Sequence, residues 1–546
     1  YLKMIEYLAR QNRAAECCAH YAWLNDNDYA YESMYVNWAD TLRQLGLLEE
    51  AANVIGEAER KGFASEDLLA TYANLLGDKG EYAEGVKVFE RLIVLSPTNM
   101  GYYYNAANYY ASLNEFQLAE KNYLQAIKLQ PDFLGSYNNL ANLYGGKGLY
   151  SQASHWFKQI LKIDPDNISG LMNYGAMLTG AGELETSIDY CSRVLELDPS
   201  QIGARHNLAY AMCYTPFADE QKVFDAHTYV ASLFESEQQA GQNKFAPIEL
   251  NKTGKTQRQI KIGFIGGDFN QHSVAFFCEP LFKSMDYQKF ELTVYANNIV
   301  KDAVSDRIMA MPLKWRDISL LNDANAEALI LADELDVMVD LSGHTRGNRM
   351  PLLAKRVAPI QVNWLGYPNT TGLTTMDYRL TDNVADPVLV EDKEAQFYSE
   401  KLVRIKDSFL CFQGDSSILA AQSAPIASNG WVTFGSFNNI AKLTTEVLSL
   451  WAELLVQNAN SRLILKSRLF SDSAIRMRYE GFFQACGVAD HQLLLIEHTA
   501  SFEEHLRLYD SIDIALDPFP YNGTTTSCEA LWMGVPVVTM ERNCYR

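Results

Sequence analysis

Three consecutive threonines stand where the C-terminal part of the sequence changes from an apolar run to a helical pattern. Thr524, Thr525 and Thr526 lie in the segment YNGTTTSCEALWMGVP, shortly after the apolar run IDIALDP. The free amides and the dipole of a helix start favour an anion, and three hydroxyls add hydrogen-bond donors. Glu529 follows Thr525 by one helical turn, where its carboxylate could accept hydrogen bonds from a sugar. The pattern predicts a sugar-phosphate site, with helix capping by Thr524 or Thr525 as the alternative.

A lysine and two histidines follow other apolar runs. Lys442 comes shortly after Asn439 in FGSFNNIAKLTTEV, where its charge could neutralise a departing diphosphate. A solvated lysine at a helix start gives the same pattern. His272 in GGDFNQHSV and His344 in LSGHTRGNR each stand at the predicted end of a strand. A histidine there could bind substrate or move a proton, whereas a structural histidine fits equally well. Lys442, His272 and His344 are therefore the candidate catalytic residues.

Several other chemistries lack their motifs. The sequence contains neither GxxxxGK[ST] nor GxGxxG, which disfavours a P-loop nucleotidase and a dinucleotide-binding domain. The nine cysteines show no CxxC spacing, which favours reduced thiols in a cytoplasmic protein and gives no sign of a zinc site. The DxD pairs at residues 26–28 and 164–166 lie in the N-terminal part, away from the other candidates. We therefore expect no metal and no cofactor.

Charge and hydropathy exclude two classes of partner. The 546 residues carry a formal net charge of −21, whereas a general nucleic-acid binder needs a basic surface. No apolar run approaches the roughly 18 residues that a membrane-spanning helix requires. We expect neither nucleic acid nor a membrane span.

Strand and helix patterns alternate after residue 260 and position these candidates. The runs IKIGFIGG, FELTVYA, DVMVDLSG, IQVNWLG and DYRLTD precede residue 400, and WVTFGSF, SRLILKS, QLLLIEH, IDIALDP and PVVTM follow it. Continuous apolar runs separated by helices are typical of parallel strands that are buried on both faces. A polar stretch near residues 414–430 separates two such units, so we predict Rossmann-like domains at 260–415 and 416–546. Ligands bind at the carboxyl ends of the strands in this architecture.

The first two hundred residues repeat with a period of 34. Prolines recur at this spacing at Pro97, Pro131, Pro165 and Pro199. Small residues recur at Ala39, Ala73, Ala107, Ala141, Gly175 and Ala209, and aromatics at Phe89, Tyr123 and Phe157. The pattern indicates two helices per repeat, with small residues at their close approach and proline after the second helix. It resembles the tetratricopeptide repeat, which implies an α-solenoid with a concave groove. We predict this superhelix over residues 1–216 and a helical linker over 217–259.

Asparagines recur at one position of the first helix in each repeat. They stand at Asn37, Asn105, Asn139, Asn173 and Asn207, with Thr71 as the interruption. A row of amides could bond an extended polypeptide through its backbone, whatever the side chains. We interpret Asn105, Asn139, Asn173 and Asn207 as an acceptor groove, with the repeat's ordinary preference for asparagine as the alternative.

Taken together, the repeats and four later motifs resemble the O-linked N-acetylglucosamine transferase family in its bacterial form. The motifs are DFNQHSV, APIQVNWLGYPNTTG, FGSFNNIAKLT and NGTTTSCEALWMGVPVVTM. The resemblance implies an α + α/β protein, with an N-terminal repeat solenoid before two doubly wound domains of the glycosyltransferase-B type. It also implies metal-independent, inverting transfer of N-acetylglucosamine or a related sugar from a UDP-sugar to Ser or Thr of proteins bound by the repeats.

The resemblance also assigns site residues. It implies that His272 lies near the acceptor and the sugar, and Gly366 beside the sugar. The remaining residues would contact the nucleotide: Asn439, Lys442, Thr525 and Thr526 at the diphosphate, Ala500 and His505 at the uridine, and Glu529 at the ribose. Two positions depart from the animal enzymes, which carry lysine in place of Phe502 and histidine in place of Thr524. The departures remove a ribose contact and a phosphate donor, which leaves the attached sugar open.

Two other functions remain alternatives at this point. One is a catalytically silent repeat scaffold that binds UDP or partner proteins, and the other is an Asn-directed glucosyltransferase. We also expect the C-terminal domain to continue beyond Arg546, since the apolar strand 535–540 lacks a covering helix. In that case the segment 1–216 folds alone, and the chain as given binds UDP poorly.

Overall fold

The computed structural model describes residues 4, 5, 8, 13–27, 29–216, 219–236, 245, 258–298, 300–388, 397–421 and 423–540. Two compact units divide the chain at Gly170, namely Tyr1–Gly170 and Leu171–Arg546. Most of the predicted linker 217–259 lies outside the described residues, as does the chain after residue 540. No helix among the described residues is long and apolar enough to cross a membrane.

The first unit consists of repeated helices of 13 or 14 residues. They are α1 (Ala14–Asp26), α2 (Glu32–Gln44), α3 (Leu48–Arg60), α4 (Glu66–Asp78), α5 (Tyr82–Leu95), α6 (Met100–Ser112), α7 (Phe116–Leu129), α8 (Leu134–Gly146) and α9 (Tyr150–Ile163). The predicted small residues mark the close approaches, and Ala73, Ala107 and Ala141 are fully buried. At Gly85 a β-carbon would lie 2.5 Å from the Tyr109 ring, so only glycine fits there. The period of 34 therefore corresponds to helix pairs, as predicted.

The remaining repeat helices belong to the second unit by their contacts. After α10 (Ile168–Gly180), whose first residues lie at the unit boundary, come α11 (Leu184–Leu197), α12 (Ile202–Tyr214) and α13 (Glu220–Ser236). Val230, Ala231 and Phe234 of α13 are buried in the core of the first α/β domain. The sequence predicts one repeat domain over 1–216, whereas the packing joins residues from 171 onward to the α/β domains. The boundaries differ because α12 and α13 cover the first sheet and its loops. The sequence period does not show which helices are buried in this way.

Seven parallel strands form the first sheet, in the order β3-β2-β1-β4-β5-β6-β7. They are β1 (Ile260–Gly266), β2 (Phe290–Ala296), β3 (Lys314–Asp317), β4 (Val337–Asp340), β5 (Ile360–Asn363), β6 (Tyr378–Asp382) and β7 (Lys401–Ile405). One face packs against α14 (Ser273–Ser284) and α15 (Ala303–Met309), and the other against α13, α16 (Asp323–Ala332) and α17 (Met350–Leu353). This is a doubly wound domain, as predicted.

Five parallel strands form the second sheet, in the order β10-β9-β8-β11-β12. They are β8 (Val432–Ser436), β9 (Ser461–Lys466), β10 (Leu493–Ile496), β11 (Ile514–Leu516) and β12 (Val537–Val538). The associated helices are α18 (Ile426–Asn429), α19 (Thr445–Gln457), α20 (Ser473–Ala485), α21 (Phe502–Arg507) and α22 (Thr525–Trp532). In both sheets the chain reverses its winding direction beside the first strand, between β1 and β4 and between β8 and β11. Ligands bind at such switch points.

The sequence missed two strands, β3 and β7. Both lie at an edge of the first sheet, and none of their residues is fully buried. The segments KWRD and KLVRI carry the charges that edge strands tolerate, and they lack the continuous apolar run that marks a central strand.

The packing of α10–α12 predicts where the chain can be cut. A chain that starts at residue 165 should unfold cooperatively, whereas one that starts at residue 219 should melt at a lower temperature and aggregate. The second cut uncovers Tyr367, His344 and Ala441, which are buried beside α12. Aromatic side chains bury about 150–250 Å² each, so at roughly 25 cal/mol per Å² the loss amounts to several kcal/mol. Thermal unfolding and sedimentation of the two chains test this, and equal melting temperatures with monodisperse behaviour would contradict it.

Candidate functional site

Lys442 lies directly after β8, at the switch point of the second sheet. It ends a 3-10 turn, Ile440–Lys442, whose start Asn439 caps by accepting a hydrogen bond from the Ala441 amide at 3.1 Å. The ammonium Nζ donates to the Asn522 carbonyl at 2.7 Å and lies 3.9 Å from the centre of the Tyr521 ring. Asn439 therefore shapes the turn that carries the lysine, while its predicted diphosphate contact stays a prediction.

Asp517 stands at the end of β11, on the other side of the same switch point. Its carboxylate accepts hydrogen bonds from the Gly523 amide at 2.7 Å, from Asn522 Nδ2 at 3.2 Å and from Thr539 Oγ1 at 2.8 Å. These bonds fix the loop between β11 and α22. A β-carbon at Gly523 would lie 2.5 Å from Asp517 Oδ1, so the loop needs glycine at this place.

Burial moves the pKa values of this lysine and this aspartate toward each other. It lowers the pKa of Lys442 to about 8, and the nearby Asp517 carboxylate opposes that shift. Burial also raises the pKa of Asp517, while its hydrogen bonds and Lys442 hold the value down. At neutral pH Lys442 is therefore mostly protonated, as an anion-binding role requires.

The threonines lie at the start of α22, as predicted. Thr524 occupies the N-cap position, but its side chain makes no capping hydrogen bond to the helix. Thr525 is partly exposed, and Thr526 Oγ1 donates to Asn438 Oδ1 at 2.9 Å. The structure therefore gives no support to the capping alternative for Thr524. The hydrogen bond from Thr526 to Asn438 joins the loop after β11 to the loop after β8.

A lysine, a histidine and a glutamate form a chain of hydrogen bonds beside α22. Lys466 Nζ lies 2.6 Å from His505 Nδ1, and His505 Nε2 lies 3.0 Å from Glu529 Oε2. Since an ammonium group only donates, His505 accepts at Nδ1 and donates from Nε2. Glu529 is buried, and the Tyr509 hydroxyl also donates to it at 3.2 Å. The predicted ribose residue Glu529 thus holds His505, and its own ribose contact stays a prediction.

Ala500 and Phe502 flank His505. The Ala500 amide donates to Glu504 Oε2 at 2.8 Å, so this amide is engaged within its own turn. The Phe502 ring lies 6.1 Å from the His505 ring and 5.5 Å from the Phe276 ring of the first α/β domain. Phe502 therefore takes part in an aromatic contact between the two α/β domains.

His272 caps helix α14 at the end of β1. Its Nδ1 accepts a hydrogen bond from the Val274 amide at 3.4 Å and lies 3.8 Å from Asp268 Oδ2. About half of the side chain is exposed. Burial raises the pKa of Asp268, and the neighbouring His272 opposes that shift. An accessible histidine at the switch point of the first sheet is consistent with the predicted place near the acceptor.

His344 has a different environment from the one its catalytic prediction requires. Its Nε2 lies 2.8 Å from the Thr371 carbonyl and its Nδ1 lies 2.9 Å from His206 Nδ1 of α12. The side chain is buried, and burial places its pKa well below the ordinary value. Both ring nitrogens are thus engaged and the ring is neutral at pH 7. This geometry favours the structural alternative for His344, which the sequence left open.

Gly366 is required by the backbone around it. A β-carbon there would lie 1.6 Å from the Leu341 carbonyl oxygen, so the loops after β4 and β5 meet at this residue. Arg379 donates to the carbonyls of Tyr367 and Asn369, at 2.7 and 2.6 Å. The predicted contact between Gly366 and the sugar stays a prediction, because close packing alone accounts for the glycine.

The predicted acceptor asparagines are half-buried in both units. In the first unit, Asn139 Nδ2 donates to Asn108 Oδ1 and to Tyr104 Oη, each at 2.9 Å. In the second unit, Asn207 Nδ2 lies 3.4 Å from the Met172 carbonyl. Asn139 therefore links neighbouring helices, which supports the alternative that asparagine is an ordinary repeat residue. The groove role of Asn105, Asn139, Asn173 and Asn207 stays a prediction.

Sequence comparison identifies the family. The profile of glycosyl transferase family 41 matches residues 209–423 and 415–545, and that of the tetratricopeptide repeat matches 101–133 and 134–167. The chain belongs to glycosyl transferase family 41. This membership confirms the resemblance found in the motifs, and the family's first matched residue lies within α12.

Two curated plant proteins are among the relatives of this chain. "Probable UDP-N-acetylglucosamine–peptide N-acetylglucosaminyltransferase SPINDLY" from Petunia hybrida is 38% identical over 341 residues, which are 62% of this chain and 36% of the relative. The SPINDLY protein of Arabidopsis thaliana is 42% identical over 288 residues, or 52% of this chain and 31% of the relative. This chain thus matches about a third of the length of these curated relatives.

A solved structure confirms the fold class. An O-GlcNAc transferase mutant from Thermobaculum terrenum superposes with a TM-score of 0.72 and 30% sequence identity. The match covers 81% of this chain and 83% of that chain. The repeat solenoid followed by two parallel-sheet domains is therefore the predicted glycosyltransferase-B arrangement.

The sequence did not single out Lys466, Asp517 and Tyr521. Lys466 and Asp517 follow predicted strands, so their place at the carboxyl ends could have been recognised. Tyr521 carries no such signal, because its contact with Lys442 joins residues 79 positions apart. Within the described ranges, no group of three or more His, Cys, Asp or Glu residues could hold a metal ion.

The hydrogen bonds of Asp517 predict the effect of adding one methyl group at Gly523. Gly523→Ala should destabilise the protein by about 1–3 kcal/mol, because the new β-carbon displaces the carboxylate that anchors the loop. Gly481→Ala is the matched control. It lies in α20 with no atom near the added carbon, and should be neutral or stabilising by up to about 1 kcal/mol. Denaturant unfolding of both variants checks this, and equal stabilities would show that the loop accommodates the methyl group.

Proposed function

We propose that this protein transfers N-acetylglucosamine or a related sugar from a UDP-sugar to Ser or Thr of protein acceptors, with inversion and without a metal. The observation that carries the proposal is the pair of groups at the second switch point. Lys442 after β8 and the start of α22 after β11 offer a partly buried ammonium and a helix amino end to one diphosphate. The names of the matched relatives and the membership in family 41 support the same donor and acceptor classes.

The mechanism assigns each half of the site one task. The acceptor hydroxyl attacks the anomeric carbon from the face opposite UDP, and the diphosphate leaves with the electrons of the broken bond. Its negative charge grows as the bond breaks, so Lys442 binds the transition state more strongly than the ground state. Thr525 and Thr526 bind the diphosphate from the other side. His272 lies on the acceptor side, in the exposed mouth of the first sheet.

The proposed reaction can be tested directly. The full chain is incubated with UDP-N-acetylglucosamine, UDP-glucose and other UDP-sugars, together with a cell lysate and a chelator. Mass spectrometry then identifies the modified residue and the mass of the attached sugar. Modified Ser or Thr supports the proposal, and modified Asn indicates the glucosyltransferase alternative. UDP binding without transfer indicates the silent scaffold, and loss of transfer with the chelator contradicts metal independence.

Lys442→Ala should lower kcat far more than it weakens UDP binding. Losing a preorganised charge contact typically costs about 2.7–4 kcal/mol of barrier, or roughly a hundredfold to a thousandfold in rate. Steady-state kinetics and calorimetric UDP titration measure the two effects. Lys289→Ala is the matched control, because Lys289 is exposed and pairs only with its neighbour Asp286 in the described structure. If the Lys442 variant turns over at the wild-type rate, the leaving-group role is wrong.

Replacing Asn105, Asn139, Asn173 and Asn207 together by Ala should raise KM for protein acceptors several-fold. UDP affinity should stay unchanged, because the donor site lies in the α/β domains. A modest loss of stability is expected, since Asn139 bonds Tyr104 and Asn108. Asn122→Ala serves as the control, since its amide bonds only the Leu118 carbonyl of its own helix. Unchanged efficiency on every protein acceptor would support the alternative that these asparagines are ordinary repeat residues.

A further inference from the structure

The last repeat helix contacts the loops of both α/β domains along one face. On α12, His206 meets His344, and the Tyr210 ring lies 6.3 Å from the ring of Tyr367, in the first domain. One and two turns after His206, Tyr210 and Tyr214 join their hydroxyls at 2.5 Å. The Tyr214 ring then lies 4.9 Å from the Tyr521 ring, in the second domain. One helix of the repeat array thus reaches both halves of the site.

The Tyr521 ring, which Tyr214 contacts, also lies against the ammonium group of Lys442. Lys442 Nζ lies 3.9 Å from the centre of the Tyr521 ring, and the same ring packs against Tyr214. Tyr214 is buried, and it packs with Leu184 of α11 and Ala441 of the lysine's own turn. An aromatic face stabilises a cation most strongly where water is excluded. Tyr521 is therefore in position to stabilise the charged form of Lys442, and Tyr214 is in position to hold the Tyr521 ring.

A second contact fixes the turn that carries the lysine. Gly182, between α10 and α11, has φ +76°, and a β-carbon there would lie 3.1 Å from the Ile440 carbonyl. Arg478 of α20 donates to the Ala181 carbonyl at 2.7 Å and to Glu183 at 2.9 Å. The repeat helices thus contact the Lys442 turn at the Gly182 loop as well as through α12.

We propose that Tyr521 and Tyr214 are positioning residues for the leaving-group lysine. Tyr521 gives Lys442 an aromatic face, and Tyr214 of the last repeat holds that ring in place. The catalytic meaning of this inference rests on the proposed function, whereas the claim about the lysine itself does not. The repeat array then sets the charge of the catalytic lysine in addition to any binding of acceptors.

The test measures the titration of Lys442 in the unliganded full-length protein. Its rate of acylation by acetic anhydride between pH 6.5 and 10 is followed by mass spectrometry, because only the neutral amine reacts. The groups near Lys442 are the Asp517 carboxylate after β11 and the Tyr521 ring, which in turn contacts the Tyr214 ring. Asp517 is unchanged in every variant, so a difference between variants reports the rings.

Tyr521→Leu keeps an apolar cover and removes the aromatic face. The midpoint of Lys442 acylation should fall by about half to one pH unit, because the neutral amine becomes relatively more stable. Tyr521→Phe should keep the wild-type midpoint. Tyr229→Leu is the matched control, since that ring lies 4.0 Å from Arg205 at the surface and outside the site. Equal midpoints in the Tyr521→Leu and Tyr521→Phe variants would overturn the role of the ring.

Tyr214→Leu and Tyr214→Met should shift the midpoint in the same direction by a smaller amount. If both variants fold with the wild-type midpoint, or if neither folds, Tyr214 is only a core residue and that part of the proposal is overturned.

Kinetics separate this inference from the proposed function. A wild-type protein that transfers no sugar refutes the function, whereas the acylation midpoints are measured whatever its activity. In an active protein, the alkaline limb of kcat/KM should move with the midpoint, while a merely structural defect lowers the rate at every pH.

Discussion

A buried carboxylate at the carboxyl end of one strand holds the functional loops in each α/β domain. Asp340 ends β4 and accepts hydrogen bonds from the amides of Ser342 and Gly343 and from Asn363 Nδ2. Asp517 follows β11, which has the equivalent place in the second sheet, and accepts from Gly523, Asn522 and Thr539. Burial raises the pKa of both carboxyls, so each needs its donors to stay ionised. The loops that carry His344 and the threonines keep their shape because they supply these donors.

The sequence predicted the central strands of both sheets because these are buried on both faces and read as continuous apolar runs. It missed β3 and β7, whose edge positions leave room for charges in KWRD and KLVRI. The same reasoning placed Lys442 and the threonines correctly at strand ends, since parallel topology brings all carboxyl ends to one edge. It left the role of His344 open, because its partner His206 lies 138 positions earlier in the chain. The local sequence pattern shows at which end of a strand a side chain stands, but not which distant residues pack against it.

The repeat array plays two physical roles that the 34-residue period cannot distinguish. Helices α1–α9 pack among themselves, as a solenoid does, and form a unit of their own. Helices α11 and α12 have the same sequence period, but Leu184 of α11 and the tyrosines of α12 pack against residues of the α/β domains. His206, His227 and His344 are all neutral at pH 7, because burial lowers the pKa of the first two to about 4 and that of the third well below its usual value. Their contacts therefore act as packing and neutral hydrogen bonds, which tie the last repeat to the first sheet without any ionic pair.

The charge balance of the second domain explains how its lysines can receive an anion. Lys442 donates to a neutral carbonyl, that of Asn522, while Asp517 acts on it only at longer range. In the proposed reaction, an incoming diphosphate does not have to break a direct ion pair, which would cost much of the binding energy in a buried site. Lys466 in turn donates to Nδ1 of His505, whose other nitrogen donates to Glu529. Asn522 thus lies between Lys442 and Asp517, and His505 lies between Lys466 and Glu529. The carboxylates shape the loops while the ammonium charges remain directed toward the switch point.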